Sequence, residues 1–201
     1  MNTLRDNIAA HLTAFPRLAV DRPELRRAAV AILISPVRNR PTYALTRRGL
    51  KMRRGAGNYA LPGGVAEPGE DAAAAALRET AEELGVHLSR EAVLGLLDDF
   101  VTLSGFVVTP VVLWSATPLT LTPHPVEVHR AWRVPIAELD HPEAPRRVTP
   151  WGGGAAVLRM PARGRWINAP TAVWLYQFRE VALHGRWTRV GDEGQPSWTA
   201  R

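Results

Sequence analysis

Residues 64–86 read GVAEPGEDAAAAALRETAEELGV, and this stretch decides how the rest of the chain is read. Alanines and long, straight side chains predict a helix over 71–84, and Gly85 supplies its stop. At 100° per residue, Leu77, Thr80, Ala81 and Leu84 share one face, and Glu79, Glu82 and Glu83 gather on the other. Three carboxylates within a turn repel one another unless a cation neutralises them, and hard oxygen donors at that spacing suit Mg2+ or Mn2+. On an arbitrary helix such acids form a solvated face. The surroundings argue otherwise.

Immediately upstream, residues 47–69 hold six glycines and two prolines and predict a long loop, a kind that is usually functional inside a compact domain. No acid occurs between Glu24 and Glu67, while Arg26, Arg27, Arg38, Arg40, Arg47, Arg48, Lys51, Arg53 and Arg54 all fall in that window. A cationic block abutting an acidic one suits a phosphorylated ligand together with a divalent metal. Arg78 sits beside the carboxylates, where it can hold one in position.

Around this centre the pattern is that of one mixed sheet covered by helices, and a single domain over residues 1–201 is expected. A short helix over 3–12 and a connector reaching residue 25 precede strands over 28–34 and 42–46, with a turn at 38–41. Further strands are predicted over 93–97, 106–115, 126–134 and 155–160. A helix starts near Asn168, Ala169 and Pro170, with Trp174, Phe178, Val181 and Ala182 on one face. The tail over 185–201 is polar and carries no firm structure. Trp114 and Trp132 lie in strand-like runs and are expected to pack in the core.

The 201 residues are 46% hydrophobic and 22% charged, ordinary for a folded globular chain. No cysteine is present, which removes disulfides, thiolate nucleophiles and cysteine zinc sites. No apolar run reaches the roughly 20 residues a membrane helix takes, and no secretory signal is apparent, so a cytoplasmic protein is the default expectation. The net charge is +6. Yet 24 of the 25 basic residues are arginine, a skew that fits genome composition better than a nucleic-acid patch.

The stretch 64–86 resembles the Nudix box, GX5EX7REUXEEXGU with U a bulky aliphatic residue. Gly64, Glu70, Arg78, Glu79, Glu82, Glu83, Gly85 and Val86 fit it, and Thr80 departs at the first U position. The resemblance implies an α/β/α sandwich with a mixed sheet, and metal-dependent hydrolysis of a nucleoside diphosphate linked to another group. It implies that Glu79, Glu82 and Glu83 hold Mg2+ or Mn2+ with the Gly64 carbonyl as a further ligand, that Arg78 orients the glutamates, and that Glu70 braces the loop. Under this resemblance Glu79 is the first choice for the general base, and Glu127, on a later segment, is the alternative.

Residues 44–64, ALTRRGLKMRRGAGNYALPGG, are similar to the signature LLTXRSX3RX3GX3FPGG of coenzyme A pyrophosphatases. Leu45, Thr46, Arg48, Arg53, Gly57, Pro62, Gly63 and Gly64 coincide without a gap, whereas Ala44, Gly49 and Leu61 depart, the serine-to-glycine change at Gly49 being the least conservative. The similarity implies a coenzyme A-like nucleotide substrate, cleaved to 3′,5′-ADP and a 4′-phosphopantetheine product. Arg48 and Arg53 would then contact its phosphates, while Gly57 and Gly63 admit the ligand to the backbone. Other nucleoside diphosphate derivatives such as ADP-ribose, NADH or an oxidised nucleotide are the alternative substrates. A non-catalytic nucleotide or RNA binder ranks below them. A homodimer is compatible with the sequence; a membrane partner is not expected.

Overall fold

The computed structural model describes residues 1–50, 55–149 and 153–196. Helix α1 (Asn2–Ala14) leads through a connector into the long strand β1 (Arg26–Val37), which turns at Arg38 and Asn39 into β2 (Arg40–Arg48). The expected loop over 47–69 is not wholly irregular. It contains the short strands β3 (Tyr59–Ala60) and β4 (Gly63–Val65), which no periodicity could announce because each is two or three residues long. Helix α2 (Ala72–Leu84) follows, then β5 (Val93–Leu96), β6 (Phe100–Val101), β7 (Phe106–Trp114) and β8 (Val128–Pro135).

β1 is the centre of the main sheet. It pairs parallel with β7 and antiparallel with both β2 and β4, and β3, β8, β5 and β6 complete the sheet through antiparallel pairs. The sheet is mixed. Because successive side chains point to opposite faces, β1 serves two cores. Ala29, Ala31 and Leu33 pack with Ala73, Ala75, Ala76 and Leu84 of α2. Val30, Ile32 and Ile34 face the other way, toward a cluster containing Ile8 and Leu12 of α1. This is the expected α/β/α arrangement. Ala75 and Ala76 are fully buried against alanines of the sheet, so the alanine run lets the helix approach closely rather than serving only as helix-forming filler.

The part beyond β8 is more ordered than the sequence suggested. Strands β9 (Arg146–Val148), β10 (Val157–Ala162) and β11 (Arg165–Asn168) form a separate antiparallel sheet. The strand expected over 155–160 is β10, set two residues later. Helix α3 (Thr171–Gln177) continues as a wider turn over Phe178–Leu183, and Trp174, Phe178, Val181 and Ala182 are buried as its face predicted. The described part of the tail, 185–196, has little regular structure but is anchored: Arg189 donates to both carboxylate oxygens of Asp98, at 2.8 and 3.0 Å, and Val190 is buried. Trp114 is buried as expected; Trp132 is only half-buried, between Tyr59 and the Arg163 guanidinium.

Candidate active site

Helix α2 is fixed at both ends by its own sequence. The Asp71 side chain accepts from the Ala74 N–H at 2.8 Å, and Gly85 closes the helix in the left-handed conformation at φ 65°. Thr80, where the box has an aliphatic residue, is fully buried and donates its hydroxyl to the Ala76 carbonyl at 2.6 Å, so the polar group is satisfied inside the helix.

Arg78 is the hub. Its guanidinium donates to Glu70, to Glu79 Oε1 and Glu82 Oε2 (both 2.9 Å), and to the Val65 carbonyl at 2.9 Å. Glu70 in turn accepts from the Glu67 N–H at 2.9 Å, which ties the loop to the helix. The Arg78 hydrogen bonds hold the Glu70 carboxyl below its ordinary pKa.

The wheel gathers all three glutamates on the face opposite the apolar one, but the structure does not expose them alike. Glu82 is exposed, Glu79 half-buried, and Glu83 buried with 5% of its surface accessible. Strand β4 lies across this flank, held antiparallel on β1 with Ala29 opposite Gly64. The segment before β8 closes the other side, its Thr122 and His124 N–H groups donating to the Leu84 and Glu83 carbonyls at 2.7 and 2.8 Å. A wheel describes one helix and has no knowledge of either segment.

Burial is the main cause that raises the Glu83 carboxyl to about 8. Glu79 and Glu127 add repulsion, while Arg48 and the Gly63 N–H oppose the shift. Burial also raises Glu79, with Glu82 and Glu127 repelling it and Arg78 pulling the other way. Glu127, on a different segment, is therefore part of the same electrostatic centre. Gly64 leaves the room this centre needs: a Cβ there would overlap the Glu79 carboxylate, 2.7 Å from its Oε2. Gly63 likewise permits close approach, since a Cβ would come 2.7 Å from Val30 Cα.

Among the described residues, no three acidic or histidine side chains converge into a ready metal cage. The donor chemistry fits a divalent cation nonetheless. Glu79, Glu83 and Glu127 repel one another in a partly buried position, and Arg48 and Arg78 are the cations that act on them.

Beside this centre lies a cavity of about 410 Å3. Arg48, Gly57, Gly63 and Gly64 line it, so four residues singled out in the sequence meet at one cavity. Arg53, expected beside Arg48, lies outside the described residues. Gly57 shapes the loop: its φ is +73°, its N–H donates to the Arg48 carbonyl at 3.2 Å, and its carbonyl accepts from Arg47 Nε at 2.9 Å. The cationic block is thus divided. Arg47 holds the loop and Arg27 pairs with the buried Asp99 at 3.1 Å, whereas Arg48 serves the site. Tyr59, Phe106, Trp166, Asn168 and Trp174 also line the cavity, and sequence reading did not place them at the site. Trp174 was read as a core residue of a helix face, and only the seven tryptophans hinted at more.

The NUDIX domain family matches residues 25–152, more than half of the chain, and the protein belongs to that family. A Nudix hydrolase named NudL from Photorhabdus laumondii, itself uncharacterized, is 40% identical over 114 residues, which cover 56% of this chain and 60% of that one. Its Escherichia coli K12 counterpart is 35% identical over 127 residues, covering 62% and 66%. The chain thus spans less than two thirds of these relatives' length. The crystal structure of a NUDIX hydrolase from Alicyclobacillus acidocaldarius superposes with a TM-score of 0.52 at 20% identity, covering 81% of this chain and 93% of that one. A MutT/nudix family protein from Enterococcus faecalis gives 0.52 at 17% identity, covering 74% and 52%. Both agree with the fold. No helix among the described residues is long and apolar enough to cross a membrane.

Proposed function

We propose that the protein is a metal-dependent pyrophosphohydrolase that cleaves coenzyme A or an acyl derivative to 3′,5′-ADP and 4′-phosphopantetheine or its acyl form. The observation that carries this reading is the meeting of two sequence patterns at one place. Glu79 of α2 lies against Gly64 and Glu83 is acted on by Arg48 and Gly63, and these three residues of the upstream signature line the cavity together with Gly57.

Glu79, Glu82, Glu83 and the Gly64 carbonyl are the groups that would hold Mg2+ or Mn2+. When bound, the metal neutralises pyrophosphate charge and acidifies a coordinated water. Water adds across the phosphoanhydride, one P–O bond forming as another breaks, so that two phosphomonoesters leave. Glu79, kept close to Gly64 and steered by Arg78, is placed to take the proton from the attacking water; Glu127 is the alternative base. Arg48 contributes a fixed positive charge for a phosphate oxygen.

The serine-to-glycine departure in the signature has a packing explanation that does not involve substrate. A Cβ at Gly49 would run into the Val126 carbonyl, and the Gly49 N–H donates to the Glu127 carbonyl at 2.7 Å. That removes one ground for preferring ADP-ribose or a dinucleotide.

The test is product analysis by mass spectrometry after incubation with coenzyme A, acetyl-coenzyme A, ADP-ribose and NADH, with and without Mg2+ or Mn2+. Metal-dependent 3′,5′-ADP from the coenzyme A samples is expected. Cleavage of the other substrates alone discards the coenzyme A assignment, and no cleavage of any discards hydrolysis.

A further inference from the structure

Strand β11 presents successive side chains to opposite sides. Ile167 points into the core with 3% of its surface accessible, while its neighbour Trp166 stays half-buried and lines the cavity. Its ring is held from two directions. The Arg146 guanidinium of β9 lies over it, 3.9 Å from the centroid, and the His141 ring meets it edge-on at 5.4 Å. Arg146 is itself fixed by an ion pair with Glu143 at 2.5 Å.

Two further half-buried rings line the same cavity, and each is braced by a residue of another strand. Phe106, the first residue of β7, has the Arg26 guanidinium of β1 at 5.3 Å from its centroid. Tyr59 of β3 packs on Trp132 of β8 at 5.6 Å. Accessible, flat surface that is already immobilised suits a flat and rigid ligand. A heterocyclic base laid on an aromatic side chain contributes about 1–3 kcal/mol. A flexible chain on the same rings would lose conformational freedom that a base does not have to lose. Asn58 and Ser104, half-buried as well, bring an amide and a hydroxyl to the lining for the polar edge of such a base.

We propose that Trp166 determines specificity by stacking on the nucleobase of the substrate. The inference rests on the reading of the substrate as a nucleoside diphosphate derivative, and it holds for coenzyme A and for ADP-ribose alike, because both carry adenosine on one side of the pyrophosphate. Trp166 lies beyond residue 152, where the family match ends. The segment that follows the shared domain thus supplies base recognition, while α2 and the signature loop supply the chemistry.

The test watches the ring itself. The full chain is labelled with 5-fluorotryptophan, and the fluorine signal missing from Trp166→Phe identifies Trp166 among the seven tryptophans. Adenosine is expected to shift that signal saturably in the parent, and pantetheine to leave it in place. Adenosine affinity should fall about tenfold in Trp166→Ala and recover in part in Trp166→Phe, which restores a ring. The parent's signal reports even if the alanine variant does not fold. The proposal is overturned if adenosine leaves the Trp166 signal unmoved, if pantetheine moves it at least as far, or if folded Trp166→Ala binds adenosine like the parent. Turnover of coenzyme A and ADP-ribose is scored on its own. A parent that seats adenosine on Trp166 yet cleaves neither substrate loses the hydrolysis reading and keeps this one; a parent that cleaves either while its Trp166 signal ignores adenosine does the reverse.

Discussion

Gly64 and Glu79 are in such close apposition that a Cβ on the glycine would stand 2.7 Å from Glu79 Oε2 and closer still to the rest of the carboxylate. Strand β4 is pinned to β1 at this point, so the backbone cannot retreat. The carboxylate would have to move, and Arg78, which donates to it at 2.9 Å, would move with it. Gly64→Ala is therefore expected to lower kcat about a hundredfold through misplacement of Glu79, with the far-ultraviolet circular dichroism unchanged. Retained kcat would show that the position of Glu79 is not critical.

Glu83 and Glu82 are neighbours in sequence with opposite surroundings. Glu83 is buried and its carboxyl is raised to about 8, while the Glu82 side chain is 54% exposed and, among the described residues, paired only with Arg78. A buried donor cannot be replaced by water, whereas an exposed one can. Glu83→Gln should cut metal-dependent turnover about a hundredfold or more, several kcal/mol of charge stabilisation, and Glu82→Gln distinctly less. Steady-state kinetics with Mg2+ and Mn2+ on the two variants checks the order.

The order of the long elements between β1 and β8 was legible in the sequence because each carries its own pattern, whereas β3, β4 and β6, two or three residues each, were not. α2 carried the most information, with its cap, its stop and its three acids all written locally. What was not legible depends on contact between distant segments. Glu83 looks solvent-facing until β4 and residues 122–128 are laid against it. Arg27 looks like part of a phosphate-binding block until Asp99, 72 positions away, accepts from it. Trp166 and Asn168 sit in a four-residue strand too short to show a period, so their place in the cavity lining had no local signature.

Gly49 offers a direct test of whether a departure from the signature reflects packing or substrate. Restoring serine there would thrust a Cβ at the Val126 carbonyl and place it 3.4 Å from the Glu127 carbonyl, in a segment that also closes over Glu83. Gly49→Ser is expected to destabilise the protein by about 1–3 kcal/mol, the usual cost of overpacking. Turnover should fall as well, because Glu127 shifts. Chemical unfolding of parent and variant measures the first effect; an unchanged midpoint would mean the 126–127 segment yields freely.

Glu180 gives the protein an acid-sensitive joint far from the chemistry. Its buried carboxylate accepts from Arg186 Nε at 2.6 Å and Nη2 at 2.9 Å and from Arg179 Nε at 2.7 Å, tying the end of the α3 segment to the tail. The Arg186 hydrogen bonds, helped by Arg179, hold its pKa below the ordinary 4.5 against the opposing effect of burial. A carboxyl with a lowered folded-state pKa binds fewer protons folded than unfolded. Its stabilisation is therefore complete above the unfolded value and is lost as pH falls through the folded one. Glu180→Gln should cost about 1–2 kcal/mol at pH 7, near the low end for charge-assisted bonds because Arg186 is half exposed. The gap between parent and variant in urea unfolding should hold down to about pH 5 and narrow steadily as the pH falls through the unfolded value of 4.5 and on toward the lowered folded one. A gap independent of pH over that range would mean that Glu180 acts through its shape and not through its charge.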